Sequence, residues 1–417
     1  MKRILAYMDF MCPSGFGTVA HNVWDRLTPW LIENDIYVDV AALNYAGKPT
    51  LQYNERIVVW DPGIFARNQD DSYYRDGVLN MAIEGEYDVV WMMNDVPVLG
   101  PMVRFLRQLN ERRSLEGGKT FKVVLYTPID SVPFTRYFTD LDFYDKIFTY
   151  TKYGKAELEN AFWRENGRPV QVGVIGHGVN RTDFYPLDTD KQKLKGKFDF
   201  QEGSFVFGHI NKNQPRKDMG GTVIAFAQFK EWQRSSKYKD IPATLYLHCD
   251  PQEKNGINIY VAVERLGLQI GRDVQLPLLD KYKGSGYSKT ELNELYNSID
   301  CFVTTTTAEG WGLTVTEAMS VGLPIICGVH TSLSEITDNG SLVYGCNNLI
   351  PFIQNEDGEN VRWKLHPSEV ADKMIQAFVD VVENGKSRID YTEKLDQYSW
   401  DEIAKDWQKV FESMQIL

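Results

Sequence analysis

Short apolar runs alternate with amphipathic stretches along most of the chain, and the alternation predicts repeated strand–loop–helix units. RILAYM (3–8) reads as the first strand. Val19, Val23, Leu27 and Leu31 then recur at helical spacing across 18–32. IYVDVAAL (36–43), YDVVWMM (87–93), FKVVLYT (121–127), KIFTY (146–150) and VQVGVIG (170–176) continue the strand series. Two of these, 87–93 and 121–127, are almost unbroken apolar runs, as expected of strands covered on both faces of a parallel sheet. Between them, Leu99, Met102, Leu106 and Leu109 mark one face of a helix.

The pattern then starts again. SFVFGHI (204–210), ATLYLHC (243–249), VQLPL (274–278), CFVTT (301–305) and PIIC (324–327) read as strands, with helical patterns over 222–234, 288–297 and 313–321. Ser288 with Glu291 three residues later is a capping-box signature for the second of these helices. From Tyr398 onward the tail is a Trp-containing amphipathic helix. Alternation over both halves predicts two doubly wound α/β units, with a seam near 180–187, where the pattern breaks.

Composition narrows the function classes. A net charge of −12 opposes a chain that mainly grips nucleic acid. Five cysteines (Cys12, Cys249, Cys301, Cys327 and Cys346) form no C-x-x-C pair and read as buried free thiols of a reducing compartment. No run of about 18 apolar residues predicts a membrane span, and the start lacks a signal-peptide pattern. A cytoplasmic location is expected.

The most informative chemistry lies in TTTTAEGWGLTVTEAMSVGLP (304–324). A strand ends, a loop of small residues follows, and Gly310-Trp311-Gly312 opens a helix that begins with Leu313 and Thr314 and stops at Gly322. A glycine-rich loop feeding a helix N-terminus presents backbone N–H groups and a positive dipole end to an anion such as a diphosphate. Glu309 just before the loop and Glu317 a turn into the helix can accept hydrogen bonds from two separate sets of hydroxyls.

This block resembles the retaining glycosyltransferases of family 4 (glycosyl transferases group 1), whose hallmark is E-G-F-G-L-x-x-x-E-A-M-A-x-G-x-P. Glu309, Gly310, Gly312, Leu313, Glu317, Ala318, Met319, Gly322 and Pro324 match, and Trp311 replaces the family's Phe. IGHGVNRTDFYPL (175–187) is similar to the segment that leads into the family's second domain, and YSWDEIAKDWQKVF (398–411) to its closing helix. The resemblance implies a GT-B fold: two facing Rossmann-like domains, with a C-terminal helix returning to the first. It places an acceptor-side domain at 1–182 with the helix 399–417, and a donor-binding domain at 183–398. It implies a nucleotide-sugar donor, a UDP-sugar before a GDP-sugar, and transfer to a hydroxyl. The residue matching Glu309 would contact the donor sugar, the loop 310–314 the sugar and phosphates, and Glu317 the ribose. No cofactor is implied, and no catalytic metal.

Further candidates follow from the same frame. Within Asn211–Asp218, Lys217 matches the family's diphosphate lysine, and either Lys212 or Arg216 is the second cation. Fixed cations there would stabilise the charge of a departing nucleoside diphosphate. Gly15 and Gly17 match the family's N-terminal glycine loop. They also fit a dinucleotide fingerprint with Ala20 and Asp39, but lie too far beyond their strand for one. Asp130, where many family members carry His, is the base-like candidate, or equally a structural helix N-cap. Asp140-x-Asp142 and Asp188-x-Asp190 imitate a metal-binding D-x-D without following a suitable strand. The run 104–122 carries six cations and reads as a solvated helix face before an anionic-acceptor site. The acceptor stays open among glycan, lipid-linked sugar, small molecule and modified nucleic acid. DVVWMMNDVP and KVVLYTPIDS are similar to segments of phage DNA-base glucosyltransferases. A non-catalytic nucleotide-sugar-binding module is the alternative of another class.

Overall fold

The computed structural model describes residues 2–45, 47–132, 138–354 and 360–414. The chain forms two compact units. One runs to Gly178 and takes back the tail from Tyr398; the other is Val179–Gln397.

The first unit is built on β1 (Lys2–Asp9), β2 (Ile36–Leu43), β3 (Thr50–Gln52), β4 (Ile57–Trp60), β5 (Val89–Met93), β6 (Lys122–Thr127), β7 (Lys146–Thr149) and β8 (Gly173–Val174). Their order across the sheet is β3-β4-β2-β1-β5-β6-β7-β8. All neighbours are parallel except β3 and β4. Ile4 to Met8 and Val89 to Met93 are fully buried, which is why these strands lack a polar alternation. The apolar run 170–176 contributes only two residues to the sheet, because β8 is an edge strand paired with β7 alone.

The tail helix, Trp400–Ser413, packs on the helix Gly15–Glu33 of this unit. Trp407 and Phe411 are fully buried. The Trp407 ring meets Trp91, Tyr126 and Phe148 edge-on at 4.9–5.3 Å, and Phe411 lies 5.9–6.0 Å from Trp24 and Trp30. Gly178 must be glycine, since a Cβ would stand 2.5 Å from the Trp400 ring. The helix expected over 399–417 is formed over Trp400–Ser413, and 415–417 lie outside the described residues.

The second unit carries β9 (Phe205–Ile210), β10 (Ala243–His248), β11 (Val274–Gln275), β12 (Cys301–Val303), β13 (Ile325–Gly328) and β14 (Tyr344–Cys346) in an all-parallel sheet of order β11-β10-β9-β12-β13-β14. That is the Rossmann order, which reverses between β9 and β12. The crevice beyond the carboxyl ends of those two strands is therefore the expected ligand position. The sequence pattern did not predict the antiparallel ribbon of β15 (Leu349–Gln354) and β16 (Asn360–Leu365). Pro351, Arg362 and Lys364 interrupt its apolar pattern.

Residues 180–187 belong to the second unit and are stitched to it. Tyr185 and Leu187 N–H groups donate to Asn293 and Asn297 side chains at 3.0 and 2.9 Å, and Ser320 Oγ donates to the Phe184 carbonyl at 2.6 Å. Among the described residues no helix is long and apolar enough to cross a membrane.

Candidate functional site

The turn after β9 and the loop after β12 meet at the crevice. Hydroxyls fasten them together. Thr305 Oγ1 donates to the Asp218 carbonyl at 2.6 Å and lies 2.7 Å from Thr222 Oγ1. The Thr307 N–H donates to the Arg216 carbonyl at 2.8 Å, and the Thr306 and Thr307 hydroxyls donate to the same oxygen at 3.3 and 3.1 Å. His209, at the end of β9, braces the set with Nδ1 2.8 Å from Thr222 Oγ1. Burial, helped by nearby Lys217, lowers the His209 pKa to about 3, so the imidazole is neutral and structural. The run of four threonines supplies bonding hydroxyls where a backbone turn is taken out of water.

This frame presents Arg216 and Lys217 to Glu309. Arg216 Nη1 donates to the Ala308 carbonyl at 2.6 Å and to Glu309 Oε2 at 3.0 Å, while Lys217 Nζ pairs with Glu309 Oε1. Burial alone would raise the Glu309 pKa. The two cations outweigh it and hold the carboxyl at about 2, so Glu309 is ionised at any working pH. Lys212, four residues before Arg216, points elsewhere: its side chain is exposed and lies 3.8 Å from Glu253. Of the two alternatives for the second cation, the structure brings Arg216 to Lys217.

The loop Gly310-Trp311-Gly312 turns from Glu309 into the helix Leu313–Val321. Gly312 is its N-cap at φ +104°, and a Cβ there would also stand 2.8 Å from Leu333. Both facts require glycine. No side chain caps this N-terminus. Trp311 is buried, and its carbonyl accepts from Ser332 Oγ at 2.8 Å. Gly310, Leu313 and Thr314 are half-buried. One turn on, half-buried Glu317 accepts from the Tyr296 hydroxyl at 2.7 Å. Burial pushes its carboxyl up to about 7, against the hydrogen bond from Tyr296. The ribbon also reaches this loop, through the Trp363 N–H to the Thr307 carbonyl at 3.3 Å.

The remaining candidates lie in the first unit. Gly17 follows the N-cap Ser14, whose Oγ accepts from the Gly17 N–H at 2.9 Å and donates to Asp9 at 2.7 Å. A Cβ on Gly17 would meet the Cys12 carbonyl at 2.3 Å, so local packing alone requires this glycine. Gly15 is exposed at the start of the helix Gly15–Glu33. Residues 10–14 separate it from β1, and Asp39 sits within β2, held by Arg3 and by Trp60 Nε1 at 2.8 Å. This is not the geometry of a dinucleotide fingerprint, which turns directly after its strand.

Asp130 stands three residues beyond β6, half-buried, beside buried Ser131. Residues 133 and 134 of the same turn lie outside the described residues. Asp140 and Asp142 are ion-paired to Arg104 and Arg168, and Asp190 caps a helix through the Gln192 N–H. All six cations of 104–122 have protein partners: Asp140, Glu111, Glu116, Asp88 and Asp145, with Arg113 on the carbonyls of Ala82, Ile83 and Gly85. The run ties its helix and the strand after it to neighbouring segments of the same unit.

The sequence pattern of the glycosyl transferases group 1 family matches residues 274–353, from β11 through the donor-like loop into the ribbon. The chain is 23% identical over 254 residues to a probable sucrose-phosphate synthase of Thermosipho melanesiensis, covering 59% of this chain and 48% of that protein. It is 26% identical over 291 residues to a sucrose synthase of Melioribacter roseus, covering 63% and 34%. The chain thus spans half or less of the length of these curated relatives. Its fold is similar to that of HepE from Anabaena, solved with UDP and glucose, at TM-score 0.64 and 16% identity over 99% of this chain and 100% of that one. The matched region contains the loop that joins Glu309 to Glu317, and the whole chain has the GT-B fold.

Proposed function

We propose that the chain is a retaining glycosyltransferase that moves a sugar from a UDP-sugar to a hydroxyl acceptor. The observation that carries this reading is the cluster of Arg216, Lys217 and Glu309 beside the N-terminus of Leu313–Val321, at the strand-order reversal of the second sheet. A diphosphate at that N-terminus meets backbone N–H groups, the dipole and two cations. As the sugar leaves, charge grows on the diphosphate, and preorganised cations stabilise that change without a reorganisation cost. Glu309 stays ionised, so its role is to accept hydrogen bonds from sugar hydroxyls rather than to donate a proton. Glu317, eight residues on, would accept from the ribose. The HepE structure with UDP and glucose supports a uridine donor.

Asp130, three residues beyond β6, offers a carboxylate in the unit we assign to the acceptor. Retention of configuration rests on the family resemblance, and the acceptor class stays as open as the sequence leaves it. Cations fixed beside the diphosphate suit stabilisation of a departing nucleoside diphosphate, and turnover is what separates this reading from a binding module. With those cations and the helix N-terminus at the diphosphate, the reading calls for no metal. The test is release of nucleoside diphosphate from a panel of nucleotide sugars, followed by mass spectrometry in EDTA. Turnover with a uridine donor is expected. No turnover on any donor contradicts the enzyme reading, and turnover only after added manganese contradicts the cation clamp.

A further inference from the structure

Glu317 is held by a residue outside the donor-loop block. Tyr296 lies on the helix Lys289–Ser298, and its hydroxyl donates to Glu317 Oε2 at 2.7 Å, with the Thr314 carbonyl 3.4 Å away. The ring is fully buried. Phe184 meets it edge-on at 5.6 Å and 90°, and Phe302 lies 6.2 Å away. Phe184 is itself pinned by Ser320 Oγ on its carbonyl and by the Tyr185 and Leu187 bonds to Asn293 and Asn297. A ring fixed this way holds its hydroxyl between the Glu317 carboxylate and the Thr314 carbonyl, with the carboxylate the shorter bond. The other charged groups that face Glu317 are Lys289 and Asp183, which pair with each other at 2.6 Å and largely cancel.

We propose that Tyr296 is a positioning residue, whose hydroxyl aims the Glu317 carboxylate at the ribose of the bound nucleotide and helps keep it charged. The inference rests on the ribose assignment of Glu317 made above. The physical need is clear from the surroundings. Burial raises the Glu317 carboxyl to about 7, so near neutrality it stands at the edge of protonation. A protonated carboxyl loses acceptor capacity, so nucleotide affinity falls as the pH drops through that value. A hydroxyl that donates to the carboxylate favours the charged form. Without it the same loss of affinity occurs at higher pH.

Tyr296→Phe keeps the ring and removes the hydroxyl. Calorimetric titration of UDP into the full chain from pH 6 to 9 compares wild type, Tyr296→Phe and Glu317→Gln. Glu317→Gln retains only the titration of the ligand's own phosphate and serves as the baseline. A tenfold rise in the proton affinity of Glu317 leaves roughly one site in eleven ionised at pH 7, against about half in wild type. Tyr296→Phe is therefore expected to bind UDP about fivefold more weakly at pH 7 and within about 1.5-fold of wild type at pH 9. An equal loss at every pH, or a profile that coincides with wild type, overturns the inference. If Glu317→Gln binds UDP as wild type does at every pH, the ribose assignment itself fails, and the role of Tyr296 with it.

Discussion

Lys212 and Arg216 show how far residue spacing carries. Spacing from Lys217 favours Lys212, the position at which the family carries Arg. The turn places Arg216 beside Lys217: Pro215–Lys217 forms a tight 3-10 turn, and Asp218 follows at φ +46°. That geometry presents consecutive residues, Arg216 and Lys217, to the same carboxylate. Spacing does not reveal it, because it depends on the local turn Pro215–Lys217. The loop and helix that carry Glu309 and Glu317 were legible, since glycines mark where the helix begins and ends. Losing a charge-assisted hydrogen bond costs about 1.5–3 kcal/mol. Arg216→Ala is therefore expected to weaken UDP binding by roughly 10- to 100-fold, and Lys212→Ala by less than about twofold. Calorimetry on the two variants checks the order, and a larger loss in Lys212→Ala would return the second cation to that residue.

At the scale of elements, what the sequence made readable were units with strong local signals. The helix Lys289–Ser298 carries its predicted capping box, and Leu313–Val321 ends at Gly322 with φ +80°. Strands buried on both faces stood out as apolar runs. Edge strands were overestimated: 274–278 forms only Val274–Gln275, because apolar character continues past the last ladder pair. The ribbon was invisible, since its two strands find each other across residues of mixed polarity and then support the Thr307 loop. The loop-to-helix junction depends on Gly312. Gly312→Ala forces a side chain into a left-handed conformation and against Leu333. Such strain costs about 1–3 kcal/mol. Thermal unfolding should show that loss, together with UDP binding reduced well beyond tenfold as the helix N-terminus shifts. A variant that binds UDP normally would remove this N-terminus from the diphosphate site.

For the molecule as a whole, alternating periodicity foretold two doubly wound units but not the order of strands within each sheet. Periodicity reports which faces are covered; it says nothing of which strands are neighbours. Yet strand order is what locates the site. Each sheet reverses direction once, between β1 and β5 in the first unit and between β9 and β12 in the second. Among the described residues, only the second reversal gathers two cations, a buried carboxylate and a glycine-opened helix. The first is flanked by Gly17, whose identity local packing explains. The most direct test of the account is a crystal structure of the chain with UDP bound. The account predicts the diphosphate within hydrogen-bonding reach of Arg216, Lys217 and the backbone at Leu313–Thr314, with the ribose on Glu317. A nucleotide seated instead at the crevice between β1 and β5 would contradict it.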